Sequence, residues 1–478
     1  MDDIGYRSAG EIATAIRAGR VSSREVLDAL LERVDRYNGP LNALVTRDDE
    51  RARAEATAAD AAVARGDVLG PLHGVPMSVK DSFATAGMRT TCGVPDYSDL
   101  VPEVDAVPVA RLRGAGAVIY GKTNLPIWAA DTQSYNEVFG TTNNPWDLER
   151  TPGGSSGGSG ASLAAGLSPI ELGSDIGGSI RLPAHMSGVV GHKPSYGIVP
   201  AIGQIPGPPG TLTQADIAVA GPMARSVDDL ELCLDVLAGP DDWNATSWSL
   251  DLMAPRHTET RQYRVAAWLD DPACPIDSEN RAILERAATA LSDAGAVVDT
   301  DARPDFTFDY ATAVFENLIG AAMSGGFSVA ELETGEAATT GGLGAATAAL
   351  RHREWLSWNE RRLQMRRKWH EFFTHWDAIL LPVMPNVAIR HDQSEPKDQR
   401  QSLTVDGSPV PYWSVTHWMG LTGVTWLPAT VVPAGLTVAG LPVGIQIAGP
   451  FLEDRTTLDI ARRLSALLGG TPRPPGYD

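Results

Sequence analysis

Between residues 69 and 223 the chain carries little charge, and short apolar runs such as GAVIYG and HGVPMSV alternate with loops rich in Gly, Pro, Ser and Asn. A run of this kind has no polar face to turn to water, so it fits a strand covered on both sides. Loops of small residues at the ends of such strands are where reactive side chains are displayed. No repeat, long linker or low-complexity tail interrupts the chain. The pattern predicts a single large α/β domain with a mixed, mostly buried central β-sheet covered by helices on both faces.

The flanking segments agree with that frame. Ser8 with Glu11 and Ser22 with Glu25 have the spacing of capping boxes. Val26, Leu30, Leu31 and Val34 then mark one helix face. NGP at 38–40 is read as a turn, LNALVT as a strand, and 48–65 as a helix. Helical patterns return at 226–238, 279–294 and 344–376, while WDAILLPVMP and 424–450 are read as strands. Seven of the twelve tryptophans fall between Trp355 and Trp426, where they either pack helices or line a substrate pocket.

Composition narrows the function classes. A net charge of −20 and a pI near 4.9 give the chain nothing to gain from a phosphate backbone, so nucleic acid is not an expected partner. The uncharged stretch from Met419 to Leu452 is cut by four prolines and six glycines, which suits buried strands and not a membrane span. Cys92, Cys233 and Cys274 form neither a disulfide framework nor a zinc pattern. The first residues lack the features of a secretory signal, so a cytoplasmic location is expected.

The stretch TPGGSSGGSGAS, residues 151–162, asks for an explanation. No lysine follows its glycines as in a Walker loop, and their spacing does not fit a dinucleotide fingerprint. A nucleophile-elbow pattern, GxSxG, matches on both Ser155 and Ser156, but the preceding NNPWDLERTP is turn-like where an α/β-hydrolase needs a strand. HEFFTH at 370–375 sets its histidines five apart, off a common helix face, and His73, His185 and His192 are expected to be structural. No metal and no cofactor is called for.

A second run, GSDIGGSIRLP at 173–183, repeats the Gly-Gly-Ser theme at Gly177, Gly178 and Ser179. Successive N–H groups in such turns can hold an oxyanion. With no suitable histidine, a neutral lysine can act as base, and Lys80 ends the uncharged run GVPMSVK. Bringing a lysine from its usual value to 7–8 takes about 3–4 kcal/mol, at ~1.36 per unit. An ion pair between Lys80 and Asp81 is the structural alternative.

Taken together and in order, GPLHGVPMSVKDSF, GKTNLP, FGTTNNPWD, RTPGGSSGGSGASLAAGL, LGSDIGGSIRLPA and GHKPSYG closely resemble the amidase signature family of Ser-cisSer-Lys hydrolases. The resemblance implies Lys80 as terminal base, Ser155 as the bridging serine after a cis peptide, and Ser179 as nucleophile. It implies oxyanion donors at the N–H groups of Ile176, Gly177, Gly178 and Ser179, and a structural pair in Asp175 and Arg181. Lys122 and Lys193 are expected to be scaffold lysines. The chain then divides into an N-terminal helical segment (1–68), a core with the catalytic residues (69–223), a variable helical region shaping the pocket (224–420), and closing strands with a C-terminal helix (421–478).

The expected activity is hydrolysis of aryl or alkyl amides with an apolar acyl part, with carbamates and esters as further substrates. Trp128, Tyr135 and Trp413 are candidate pocket residues. Specificity is expected in 126–139, 203–215, 307–330 and 410–426. Homodimers are common in the family. One alternative is the glutamine-hydrolysing component of a tRNA-dependent amidotransferase, its A subunit, which feeds ammonia to a partner. IWAADTQSYN after GKTNLP departs from what such subunits usually carry. An α/β-hydrolase-type esterase using GxSxG, and a noncatalytic binding protein that kept the loops, complete the alternatives.

Overall fold

Neighbouring valines of one strand separate into different cores. Val431 lies in the cluster of Ile180, Leu182 and Met419, while Val432 lies in that of Ile283 and Leu458. Side chains alternate across a pleated sheet, so this division means the strand is covered on both faces. The computed structural model describes residues 4–205, 209–336 and 345–478. Among them, an eleven-stranded sheet runs through the molecule. Its strands are β1 (Leu44–Arg47), β2 (Pro76–Lys80), β3 (Val118–Thr123), β4 (Ile170–Asp175), β5 (Val190–Lys193) and β6 (Val219–Ala224), followed by β7 (Arg264–Ala267), β8 (Val297–Asp299), β9 (Ala378–Pro382), β10 (Ala429–Leu436) and β11 (Pro442–Ala448). They lie in the order β1-β3-β2-β4-β6-β5-β10-β11-β9-β7-β8.

The sheet is mixed. β3, β2 and β4 run parallel, β9, β7 and β8 run parallel, and the pairs between and outside these sets are antiparallel. Helices Gly157–Ala164 and Arg181–Ser187 supply Leu163, Leu182 and Met186 to one core. Helices Val227–Leu237, Ser278–Asp293 and Asp454–Leu467 supply Leu230, Ile283 and Leu464 to the other. Both capping boxes form, with Ser8 and Ser22 each accepting the N–H of the glutamate three residues on.

Three expectations are corrected. NGP does not turn: the helix Ser23–Leu41 runs through Pro40. A proline in the last turn removes only one hydrogen bond. The helix closes instead at Asn42, in the left-handed region, after burying Leu41. The pattern at 344–376 is not one helix. Its first residue lies outside the described residues, and Ala345–Ala348 is separated from His352–Phe372 by an extended Arg351. The region 224–420, read as helical apart from WDAILLPVMP, contributes two further strands, β7 and β8, besides the expected β9. Of the expected variable stretch 203–215, positions 206–208 lie outside the described residues.

Because β3, β2 and β4 are parallel, their carboxyl ends open on one edge. Thr123, Lys80 and Asp175 end these strands there. Ligand sites in α/β sheets gather at such edges.

Candidate active site

Lys80, the last residue of β2, is fully buried. Its Nζ donates to Ser155 Oγ at 2.6 Å and to Ser174 Oγ at 2.9 Å. The pairing with Asp81 is not made: Asp81 accepts the Thr91 N–H and hydroxyl at 3.0 and 2.6 Å, and lies 3.8 Å from Lys122 Nζ. Burial without a carboxylate in contact brings Lys80 down to about 7, with Cys92 and Asp175 acting weakly the other way.

Ser155 follows a cis Gly154–Ser155 peptide and is 1% exposed. Its loop leads into helix Gly157–Ala164, whose small residues let it press on the sheet edge. A methyl at Gly158 would stand 2.7 Å from Asn124 O and 2.8 Å from Ala43 O. The residues ahead of the loop, 143–152, form turns and isolated bridges in place of the strand that a nucleophile elbow requires. Ser156 is fully buried against the backbone of Ser174, and Ser159 meets Thr123 Oγ1 at 2.8 Å.

Ser179 stands on the loop between β4 and helix Arg181–Ser187. At 8% exposure it is the most accessible serine of the two Gly-Ser loops. Among the described residues its hydroxyl has no hydrogen-bond partner. The Ser156 N–H donates to Ser179 O at 3.2 Å, which stitches the loops together. Asp175 shapes the turn: it accepts the N–H groups of Gly178 and Ile180 at 2.9 and 3.1 Å and pairs with Arg181 at 2.9 Å. Burial works to raise this carboxyl, but Arg181 and Lys193 hold it down to about 2. Arg181 also donates to Met419 O, Thr422 Oγ1 and Gln446 Oε1, at 2.8, 2.9 and 2.6 Å. Gly178 differs from expectation, since its N–H is already given to Asp175. Among the described residues the N–H groups of Ile176, Gly177 and Ser179 donate no hydrogen bond.

The histidines are tied up elsewhere. His192 bridges Thr430 and Asp454, His185 meets Gly444 and Asn386, and His73 meets Leu69 and Ala59. Lys122 donates to Phe83 O and two threonines, and Lys193 to Pro194 O. The pocket candidates divide. Trp413 packs on the cluster of Ile180 and Met419, Trp128 packs edge-on to Tyr97 beside Cys92, and Tyr135 is bound to Asp131 and Arg400. Of the later tryptophans, Trp369 and Trp418 are fully buried, and Trp355, Trp358, Trp376 and Trp426 lie against the core.

The stretches 307–330 and 410–426, expected to set specificity, do reach the site, through side chains the sequence did not single out. Beside Gly177, a methyl would stand 2.9 Å from Ile319 and 3.6 Å from Phe315, and Met419 covers Gly178. Sequence reasoning missed Ser174, inside the quoted motif, and Glu171, which is buried under Ser78 and Thr123. Burial pushes Glu171 up to about 8 against the hydroxyls around it. Strand alternation placing Glu171 and Gly173 on one face was the available signal.

Comparison with known proteins gives one answer at family level. The Amidase family model matches residues 25–458. The A subunit of glutamyl-tRNA(Gln) amidotransferase from Moorella thermoacetica is 34% identical over 94% of both chains. A bacterial aryl acylamidase has a similar fold, at TM-score 0.82 and 24% identity over 97% of this chain and 96% of that one. A 6-aminohexanoate cyclic dimer hydrolase complexed with substrate superposes at TM-score 0.80, 27% identical over the whole of both. Among the described residues no helix is long and apolar enough to cross a membrane.

Proposed function

The chain belongs to the amidase signature family and hydrolyses carbon–nitrogen amide bonds, and from that premise we propose that Lys80, Ser155 and Ser179 form its catalytic relay. The observation that carries the proposal is the 2.6 Å contact between Ser155 and a buried lysine that no carboxylate touches. Neutral Lys80 takes the Ser155 proton as Ser155 takes that of Ser179, and Ser179 Oγ attacks the amide carbon. The tetrahedral oxyanion is held by the N–H groups of Ile176, Gly177 and Ser179. The relay then returns a proton to the leaving amine, and water cleaves the acyl-enzyme.

Two substrate readings have support. Likeness to the amidotransferase relative over 94% of both chains supports glutamine as the amide, with ammonia passed to a partner. The apolar wall of Phe315, Ile319 and Met419 supports a stand-alone hydrolase of aryl or alkyl amides, extending to carbamates and esters. Ammonia release from glutamine, set beside acyl anilides, carbamates and esters, separates the two.

The relay is tested by mass mapping after fluorophosphonate treatment. An adduct on Ser179, its loss in Ser179→Ala with unchanged thermal unfolding, and slow labelling in Lys80→Ala are expected. An adduct on Ser156 that is indifferent to Lys80 overturns the assignment.

A further inference from the structure

The segment ahead of the first Gly-Ser loop holds two consecutive residues in the left-handed region, Trp128 at φ 56° and Ala129 at φ 57°. Side chains with a Cβ take that conformation only when their surroundings impose it. A densely bonded carboxylate follows two residues later. Asp131 is almost fully buried, and its carboxylate is saturated: Oδ1 accepts the Thr132 N–H at 2.7 Å and the Tyr412 hydroxyl at 2.8 Å, and Oδ2 accepts Arg400 Nη1 at 2.9 Å and the Tyr135 hydroxyl at 3.1 Å. Arg400 is also buried and gives its other donors to Tyr135 at 2.7 Å and Ser394 O at 2.8 Å. Lys397 donates to Ala130 O at 3.0 Å, and Gln133 exchanges hydrogen bonds with the Asp392 backbone at 2.7 and 3.0 Å.

The clamped segment rests on the relay. A methyl at Gly154 would stand 2.7 Å from Asp131 O and 2.8 Å from Gln133 N, so the backbone of 131–133 lies directly against the Gly154–Ser155 peptide. Ser134 finishes the clasp, donating to Gly153 O at 3.0 Å and accepting the Gly157 N–H at 3.1 Å. The Ser155 peptide is therefore held from outside by a segment that is itself held across 269 residues of chain.

We propose that the Asp131–Arg400 pair positions Ser155, through the backbone of 131–134, for proton transfer between Lys80 and Ser179. The pair need not touch substrate; it acts through the peptide it presses on. The proposal rests on the relay reading. Displacement of a catalytic group by about 1 Å can cost about 100-fold in rate.

The test is fluorophosphonate labelling of the full chain, separating the limiting rate from reagent affinity. In Asp131→Asn and Arg400→Met the limiting rate is expected to fall by about 100-fold, with affinity within about threefold of wild type. Groups acting as one unit are not additive, so in a Lys80→Ala background Asp131→Asn is expected to cost nothing further. If Arg400→Met fails to fold, the near-isosteric Asp131→Asn carries the measurement. Loss of affinity at full limiting rate, or the same fold-loss with and without Lys80, overturns the proposal. Wild-type labelling in Lys80→Ala by itself would instead overturn the relay.

Discussion

A lysine without a carboxylate in contact is unusual in a protein interior, and Lys80 shows what it costs. Holding it near 7 instead of 10.5 takes about 5 kcal/mol of folding free energy, at about 1.36 kcal/mol per unit. In the proposed relay this leaves a base available at neutral pH. The rate constant kcat/KM is therefore expected to rise with pH through a midpoint of about 7, as Lys80 loses its proton, and then to level off. Lys80→Met should remove that titration and lower kcat by about 100- to 10,000-fold, read in the same pH series. Lys80, Ser155 and Ser179 were singled out in the sequence by the resemblance of their motifs to the amidase signature, and the structure sets Lys80 against Ser155. Asp131 and Arg400 were not, since nothing local distinguishes a buried ion pair from two solvated charges. The Gly178 N–H was misassigned for a related reason: the carboxylate that takes it belongs to a residue read only as a partner of Arg181.

At the level of elements, helix Gly157–Ala164 owes its place to the absence of side chains. Its first turn sits so close to Asn124 O and Ala43 O that any Cβ at Gly158 overlaps backbone that cannot move aside. Gly158→Ala is expected to destabilise the protein by about 1–3 kcal/mol in urea unfolding, and to displace Ser155 along with the helix. A wild-type midpoint would show that the helix end is slack. A comparable joint ties the C-terminal helix to the sheet: Asp454, in its first turn, accepts Ser195 N–H at 2.7 Å, Ser195 hydroxyl at 2.6 Å and meets His192 at 3.1 Å. Strands and caps were legible from apolar runs and capping boxes. The end of Ser23–Leu41 was misread because a proline in a last turn removes little, whereas burial of Leu41 favours one more turn. The three strands contributed by 224–420 were only partly visible, since strands as short as Arg264–Ala267 and Val297–Asp299 leave hardly any periodicity.

Across the whole molecule, buried titratable groups pull stability in opposite directions. The native state keeps a proton on Glu171 up to about 8 that the unfolded chain releases near 4.5, so stability falls as pH rises through that window. Lys80 and Lys193, lowered to about 7, and Lys122, lowered to about 8, do the reverse: the unfolded chain holds protons up to 10.5 that the native state lacks, and stability rises with pH. The urea midpoint is expected to pass through a minimum near pH 7, where Lys80 and Lys193 together come to offset Glu171. Glu171→Gln should flatten the descending limb and leave the ascending one; a descending limb unchanged in that variant would mean another group is responsible. The overall sheet was legible because its inner strands lie in stretches with little charge, and the surroundings of Gly177 and Gly178 were not, because Phe315, Ile319 and Met419 come together only in three dimensions. The gradient of burial from Lys80 through Ser155 to Ser179 has its own consequence for the order of events. In the proposed relay the outermost hydroxyl, that of Ser179, carries the acyl group, so the departing amine and the incoming water act on one carbonyl carbon, one after the other, from the less buried end of the relay.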